Sequence, residues 1–394
     1  MKVLLVHNAY QRPGGEDVVF AQEAQMLKNA GHEVILYQRS NWDVERYQGL
    51  RKISLAKGTI WASDSRRDFL GLLQREKPDV VHVHNTFMMI SPSIYSACGE
   101  VGVPVVQTLH NYRLLCPGAT LFREGKVCEE CVGHSFLPSV IHGCYHDSRS
   151  TTAVVAIMLT THRQRGTYQN EVTSYVALTE FSRRKFIEGG LPAEKIFVKP
   201  NFVDPDPGAR TSDGEYALFV GRLSPEKRVS TVLAAWKRLP KAIPIKVIGG
   251  GPDKAQLEAQ AAKDGLDNVE FLGQLPREQT LAAINNARFL VFSSEWYENF
   301  PVTIAEAFAC STPVVASNMG AMQEIVSDGR TGLFFASGDP EDLAQRVLWA
   351  WNHPNEIRAM GREARREYES KYTAAKNYPQ LMEIYERARS LVSA

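Results

Sequence analysis

The sequence has no long hydrophobic run. Its longest apolar stretch beyond the N-terminus, residues 153–159, is far shorter than the roughly 20 residues that a membrane-spanning helix needs. The N-terminal run, residues 1–7, is too short for a signal peptide. We therefore expect a cytoplasmic protein, with any membrane contact peripheral and at the inner face.

The chain also lacks an excess of charge of either sign. Its 45 lysines and arginines stand against 44 aspartates and glutamates, and this net charge of +1 gives no argument for a nucleic-acid partner. There are only six cysteines, which in a reducing compartment are expected to be reduced or metal-bound rather than disulfide-paired. No short repeat is present. The 394 residues suffice for two domains, each with its own core.

Short apolar runs alternate with helical patterns along the chain, which is typical of parallel α/β domains. A linker rich in proline, glycine and aspartate, residues 205–214, separates two such halves. We predict an N-terminal domain at 1–204, interrupted by a cysteine-rich insertion at 111–147. A C-terminal domain is predicted at 205–373, and a closing helix at 374–394.

The residues around Glu298 carry the strongest functional signal. An apolar strand is predicted before them at 288–292, and a helix after them at 302–309, with Pro301 in its first turn. Glu298 then lies in the turn before the helix and Glu306 inside it. Both can face a ligand at the helix N-terminus, where peptide N–H groups and the helix dipole favour a phosphate. Two glutamates at this spacing mean little alone, and an exposed pair is the alternative.

The spacing of Glu298 and Glu306 resembles the Glu-x7-Glu motif of retaining GT-B glycosyltransferases, specifically glycosyltransferase family 4. The resemblance covers nearly the whole chain. It implies two Rossmann-like domains facing each other across a cleft, with the closing helix returning to the N-terminal domain. In that family the first glutamate works beside the transferred sugar and the second holds the nucleotide ribose. The intervening residues are expected to contact the donor as well: Asn299, which replaces a common glycine, Phe300, Pro301 and Val302.

Loops of the N-terminal domain are expected to face the donor too. Gly14 and Gly15, between the first strand and helix, suit close backbone approach to a phosphate or sugar, although a plain tight turn would also use them. The family carries a similar glycine pair. His84 and His110 each follow a predicted strand, where ligands of open parallel sheets bind. His110 matches a family histidine close to the donor sugar and is assigned a catalytic role, whereas the support for His84 is weaker.

The first loop of the C-terminal domain contains Arg222 and Lys227. Arginine can hold a diphosphate by bidentate hydrogen bonds and lysine as a point charge, while solvation of both is the alternative. The loop closely matches the Gly-Arg-Leu…Lys signature of family 4. No Asp-x-Asp metal clamp stands at a strand end. We therefore predict that these cations and the helix dipole neutralise the diphosphate without a catalytic metal.

The insertion carries four cysteines spaced C-x11-C-x2-C-x12-C. The C-x2-C pair supplies two thiolates on one turn, and the other two would complete a tetrahedral site. We predict one structural zinc rather than an iron–sulfur cluster, with four unliganded thiols as the alternative. The predicted ligands are Cys116, Cys128, Cys131 and Cys144.

Residues 49–74 interleave basic and bulky apolar side chains. The pattern favours an amphipathic helix pair with a solvated basic side, and contact with an anionic membrane surface is the alternative.

We thus predict a retaining enzyme that moves a hexosyl group from a nucleoside diphosphate sugar to a glycan or lipid-linked saccharide, in cell-surface polysaccharide synthesis. Glu298 would orient the sugar and stabilise an oxocarbenium-like transition state. Three alternatives remain: a nucleotide-sugar epimerase of the same fold, a phosphorylase that needs pyridoxal phosphate, and a non-catalytic metal-knuckle adaptor. The adaptor is disfavoured by the presence of Arg222, Lys227, Glu298 and Glu306.

Overall fold

A computed structural model describes residues 1–11, 14–46, 49 and 51–393. Two residues of the predicted glycine loop, Arg12 and Pro13, lie outside this described part. The chain forms two compact units. The first consists of Met1–Leu121, Cys128–Asn201 and Asn377–Ala394, and the second of Phe122–Val127 and Phe202–Lys376.

The first unit is built on six strands and the helices between them. Its strands are β1 (Lys2–Ala9), β2 (Glu33–Ser40), β3 (Val80–Asn85), β4 (Val105–Thr108), β7 (Ser174–Ala177) and β8 (Ile196–Val198). Its helices are α1 (Gly15–Asn29), α2 (Arg51–Ile60), α3 (Ser63–Glu76), α4 (Ser93–Val101), α5 (Leu137–His142), α6 (Arg149–Gln164) and α7 (Glu180–Glu188). The closing helix α15 (Ala374–Ser393) belongs to this unit from Asn377 onward.

The second unit repeats the same plan. Its strands are the hairpin β5 (Phe122–Arg123) and β6 (Lys126–Val127), then β9 (Tyr216–Val220), β10 (Ile245–Ile248), β11 (Val269–Gly273), β12 (Ala287–Phe292), β13 (Val314–Ser317) and β14 (Gly332–Phe335). Its helices are α8 (Val229–Trp236), α9 (Lys254–Lys263), α10 (Arg277–Asn285), α11 (Val302–Ala309), α12 (Met322–Ile325), α13 (Pro340–Asn352) and α14 (Pro354–Lys371).

Both main sheets are parallel throughout, which confirms the predicted α/β class. The first has the order β2-β1-β3-β4-β7-β8 and the second the order β11-β10-β9-β12-β13-β14. Central strands such as β3 and β4 are buried along their whole length, as expected for sheets covered on both faces.

Each sheet has one point where the strand order reverses. It falls between β1 and β3 in the first sheet and between β9 and β12 in the second, whose order is that of the Rossmann fold. Ligands of such sheets bind beyond the carboxyl ends of the strands at this point. The loops after β1, β3, β9 and β12 are therefore the first places to look for a site.

Several boundaries differ from the sequence prediction. β1 extends to Ala9, beyond the apolar residues that predict it, because the polar Asn8 side chain is buried and donates to Asn41 Oδ1 at 2.7 Å. Pro301 caps α11 rather than lying in its first turn. The predicted helix pair is formed by α2 and α3, with Phe69 packed inside and Lys52 and Lys57 exposed.

The glycine turn after β10 packs tightly against the loop after β9. Gly249 has φ of 145°, and its amide donates to the Gly273 carbonyl at 2.8 Å. A Cβ atom at Gly249 would overlap the carbonyl oxygen of Gly221. At Gly250 the nearest atom to such a Cβ is the flexible Gln274 Oε1, 3.8 Å away.

We expect Gly249→Ala to lower the free energy of unfolding by about 2 kcal/mol or more, because it adds both backbone strain and a backbone clash. Gly250→Ala, its neighbour in the same turn, should have an effect within about 0.5 kcal/mol. Urea unfolding of the two variants measures the difference. Equal stability of the two variants would contradict the close packing of this turn.

Candidate active site

Glu298 lies in the loop between β12 and α11, at the switch point of the second sheet. Its side chain is only 8% exposed. Ser294 Oγ donates to Glu298 Oε1 at 2.7 Å, and Lys227 Nζ contacts the same carboxylate oxygen. A buried carboxylate needs such a partner, since an unpaired buried charge is strongly destabilising.

Lys227 reaches Glu298 from the loop after β9, on the other side of the switch point. Its ammonium lies 5.4 Å from the ring centres of both Phe292 and Trp296, within the range of a cation–π contact. Ser293 Oγ donates to the Lys227 carbonyl at 2.8 Å and ties the two loops together. Lys227 and Glu298, which the sequence predicts to bind the same donor from two separate motifs, are thus in contact.

Arg222, in the same loop as Lys227, is exposed and makes no ion pair within the described part of the chain. It acts electrostatically on Asp253. Burial, and then the Glu226 charge, raise the pKa of Asp253, and the Arg222 charge partly opposes this rise. A guanidinium in this state has its hydrogen-bond donors available to an anion.

The residues after Glu298 form the N-terminal end of α11. Asn299 and Phe300 are buried, and the Phe300 ring packs edge-on against Tyr372 at 5.5 Å. Pro301 is the N-cap, and Val302 begins the helix. The first-turn amides of a helix have no partner inside the helix, so this end can donate to a phosphate.

Glu306 lies in the middle of α11, and Arg277 Nε approaches its Oε1 at 3.4 Å. Burial raises the pKa of Glu306, and the Arg277 charge opposes this. Arg277 also donates to the Asp204 carbonyl at 3.3 Å. The sequence offered no signal for Arg277, because it stands 29 positions from its partner at the start of another helix.

In the first unit Gly14 caps α1 and Gly15 begins it, beyond the carboxyl end of β1. The Gly14 amide donates to Asp17 Oδ2 at 2.7 Å, and His7 Nε2 lies 2.9 Å from Asp17 Oδ1. Neither glycine has a positive φ, and among the described residues a Cβ atom would fit at both. The local fold therefore does not itself require glycine at these two positions.

His110 lies two residues beyond β4, and its Nε2 is 2.9 Å from Nδ1 of His84, the penultimate residue of β3. The two imidazole rings stack with their centres 5.1 Å apart. Behind His84 lies Glu23, whose carboxylate also contacts His82 and Lys199. His84, the weaker of the two sequence candidates, thus directly supports the stronger one.

Burial, and then the neighbouring His82, lower the pKa of His84 to about 4. Burial and His84 likewise hold the pKa of His110 well below its usual value. For Glu23 burial acts in the opposite direction, but Lys199 and His82 outweigh it and hold the pKa well below normal. Both histidines are therefore neutral, and Glu23 ionised, at neutral pH.

None of the four cysteines of the insertion forms a disulfide, and Cys131 is the buried one. Its pKa is raised to about 11, first by burial and then by the thiols of Cys116, Cys144 and Cys128. Among the described residues, however, the group whose ligand atoms lie within 4.8 Å of one another is Glu23, His82 and His84, not the cysteines. That group already holds the Lys199 ammonium and so does not suit a cation. The zinc site stays a prediction.

Two units, each built on a six-stranded parallel sheet with one switch point, are the architecture of the GT-B class. The structure of Anabaena HepE in complex with UDP superimposes with a TM-score of 0.70 at 18% identity and covers 100% of both chains. A glycosyltransferase from Rickettsia africae gives a TM-score of 0.72 at 15% identity, covering 98% of each chain. At these identities the likeness establishes the fold alone.

The chain belongs to glycosyltransferase family 4. A family model described as Glycosyltransferase Family 4 matches residues 13–207, and one described as Glycosyl transferases group 1 matches residues 203–367. The predicted family and enzyme class are therefore confirmed.

Among curated relatives, D-rhamnosyltransferase WbpZ of Pseudomonas aeruginosa is 32% identical over 40% of this chain and 42% of its own length. The phosphatidyl-myo-inositol mannosyltransferase of Mycobacterium leprae is 28% identical over 56% of this chain and 60% of its own length. The match thus spans less than two thirds of each relative. In the described part of this chain no helix is both long and apolar enough to cross a bilayer.

The lowered pKa values of the buried network predict how stability depends on pH. For His84 the unfolded chain binds more protons than the folded chain between about pH 6.5 and 4, so stability falls as the pH falls through this window, and the lowered pKa of His110 adds to the loss below about pH 6.5. Each histidine contributes a slope of at most about 1.4 kcal/mol per pH unit. Below about pH 4.5 the lowered pKa of Glu23 continues the loss.

Urea unfolding at a series of pH values measures this slope, and His84→Phe should reduce it. His142→Gln, which changes an exposed histidine, should leave it unchanged. Stability that is flat between pH 6.5 and 4.5 in the wild-type protein would show that the two imidazoles are not held neutral.

Proposed function

We propose that this enzyme transfers a hexosyl group, with retention of configuration, from a nucleoside diphosphate sugar to a glycan or lipid-linked saccharide in cell-surface polysaccharide synthesis. The observation that carries the proposal is the contact of Lys227 with Glu298 at the switch point of the second sheet. This contact places the Lys227 ammonium, which suits a diphosphate, beside the Glu298 carboxylate, which suits a sugar that develops positive charge.

The diphosphate is proposed to bind Arg222, Lys227 and the N-terminal end of α11. Arg222 is free to form a bidentate pair with phosphate oxygens, and the helix end adds amides and a positive partial charge. These donors supply the charge that a divalent cation provides in other phosphoryl and glycosyl sites, so no catalytic metal is assigned. The solved relatives bound to UDP and UDP-glucose support a donor of this chemical class.

Once the diphosphate draws Lys227 toward itself, the Glu298 carboxylate can act on the sugar. As the C1–O bond to the diphosphate lengthens, positive charge develops on the sugar ring, and a nearby carboxylate stabilises it. Asn299, Phe300 and Val302 would shape the walls beside it. Glu306 is proposed to receive the ribose hydroxyls, with the Arg277 charge favouring its ionised form against the effect of burial.

In the first unit, His110 is proposed to contact the transferred sugar, and Gly14 and Gly15 to let the donor approach the backbone. The room for a Cβ atom at both glycines supports this, because nothing in the described part of the unit requires glycine there. An epimerase of the same fold would use the same donor groups without an acceptor. Assaying nucleotide release with and without saccharide acceptors separates the two activities.

A peripheral contact with an anionic membrane is proposed for α2, α5 and α6, which pack side by side. They expose isolated large apolar side chains, Ile53, Leu137, Ile141 and Ile157, beside basic Lys52 and Lys57. Such a surface would bring the enzyme to a lipid-linked acceptor.

We also propose that Cys116, Cys128, Cys131 and Cys144 hold one structural zinc. These four cysteines lie in one segment with little regular structure, and Gly118 packs against both Cys116 and Cys144. Tetrahedral zinc with Zn–S bonds of about 2.3 Å needs sulfurs about 3.8 Å apart, so the thiols would have to close up on binding. Such closure would brace a long segment with little regular structure.

We expect Glu298→Gln to reduce transfer by at least about a hundredfold, because the amide cannot stabilise developing positive charge as a carboxylate does. Nucleoside diphosphate binding should be largely retained. Glu278→Gln, an exposed substitution in α10, is the control and should keep near wild-type turnover. Turnover of Glu298→Gln close to that of the control would refute the assignment.

For the cysteine cluster we expect about one zinc per chain in protein purified without chelator. Cys128→Ser should lose the metal and increase hydrogen exchange in residues 111–147, whereas Cys310→Ser, which changes a buried cysteine outside the insertion, should keep it. Elemental analysis decides the matter. Zinc well below one per chain, with four reactive thiols, would end the proposal.

A further inference from the structure

A chain of buried polar groups runs from Lys199 to His110 inside the first unit. Lys199 Nζ lies 3.1 Å from Glu23 Oε2 and donates to Asn377 Oδ1 at 2.8 Å. Glu23 Oε1 is 3.3 Å from His84 Nε2, and His84 Nδ1 is 2.9 Å from His110 Nε2. Glu23, His84 and Lys199 are at most 3% exposed, whereas His110 is only half-buried. This series of polar groups therefore ends at His110, whose side chain a ligand can reach.

The contacts among these buried groups determine the protonation state of Glu23 and the tautomer of His84. Glu23, paired with Lys199, is a carboxylate and can only accept hydrogen bonds. His82 Nδ1 also lies 2.9 Å from Glu23 Oε1, but it is hydrogen-bonded to the Tyr385 hydroxyl at 2.7 Å, and His84 Nε2 has no well-aligned partner among the described residues. A lone pair on Nε2 would point at the carboxylate and repel it. The His84 proton therefore belongs on Nε2, and its Nδ1 carries the lone pair.

This assignment determines the state of His110. Because His84 Nδ1 accepts, His110 must donate from Nε2. A neutral imidazole has one N–H, so His110 Nδ1 is left with a lone pair. We infer that Glu23, acting through His84, is a positioning residue that presents His110 Nδ1 as a hydrogen-bond acceptor for a hydroxyl of the transferred hexosyl group. This inference rests on the proposed function, in which His110 contacts that sugar.

Accepting rather than donating has a chemical consequence. A hydroxyl that donates to His110 is oriented with its oxygen lone pairs away from the histidine, and the electron density on that oxygen rises slightly. Such a contact helps an electron-poor, oxocarbenium-like ring, whereas an imidazolium at the same place would oppose it. The buried carboxylate and the neutral histidine relay thus suit the proposed chemistry.

The test is the tautomer of His110, read by ¹⁵N NMR of histidine-labelled full-length protein at pH 7.5, with His110→Gln to assign the signal. We expect His110 and His84 both to be protonated on Nε2 only. Glu23→Gln removes the charge that orients His84, so the His110 proton should shift toward Nδ1 and transfer should fall by roughly tenfold. Tyr385→Phe, the matched control, removes a hydroxyl 2.7 Å from His82 in the same buried network and should leave the His110 tautomer unchanged.

A wild-type His110 protonated on Nδ1, or on both nitrogens, would overturn the inference whether or not Glu23→Gln folds. A Glu23→Gln protein that folds and keeps the wild-type His110 tautomer would also overturn it. Because the spectrum is independent of turnover, a protein with the expected tautomer but no transferase activity would count against the proposed function and not against the relay.

Discussion

The parallel direction of the strands is the constraint on which the rest of the structure depends. When all six strands of a sheet run the same way, their carboxyl ends meet at one edge, and the loops that leave this edge diverge only at the switch point. In the second unit this geometry brings together Lys227 and Glu298, which stand 71 positions apart in sequence. Both charges are satisfied by each other before any ligand arrives.

In the proposed function, Lys227 exchanges Glu298 for the donor diphosphate as its partner. A diphosphate offers Lys227 a stronger and more concentrated negative charge than one carboxylate, so Lys227 can turn toward the nucleotide. In the proposed function, Glu298 then loses its counter-ion as the sugar begins to carry positive charge. Ser294 keeps its hydrogen bond to the carboxylate in the meantime and holds it in place. The first unit shows a different arrangement, in which the buried Glu23 is paired with Lys199 and also lies against His84.

Much of this could be predicted from the sequence, because the signals are local. Apolar runs predicted the strands, and Pro301 marked the start of α11, so the positions of Glu298 and Glu306 relative to the helix followed from spacing alone. The loop that carries Arg222 and Lys227 was likewise predicted from local sequence. The overall order of strands and helices confirms this reasoning.

The partners of these residues could not be predicted, because pairing between distant elements leaves no local pattern. Glu23 resembles an ordinary glutamate on a surface helix, yet it is 1% exposed and its partner Lys199 is 176 positions away. Arg277 likewise shows no motif. The hairpin β5–β6 interrupts the cysteine-rich insertion but belongs to the second unit, where Arg228 donates to the Gly125 carbonyl at 2.5 Å. No composition signal marks that division.

The central claim is that Arg222 and Lys227 hold the donor diphosphate, and calorimetric titration with UDP and GDP tests it most directly. With whichever nucleotide binds, we expect Arg222→Ala and Lys227→Ala each to weaken affinity by about 1.5–3 kcal/mol, the usual worth of a charge-assisted hydrogen bond. Arg238→Ala, an exposed change just beyond α8, should leave affinity unchanged. Unaltered affinity in both loop variants would contradict the assignment of the donor site.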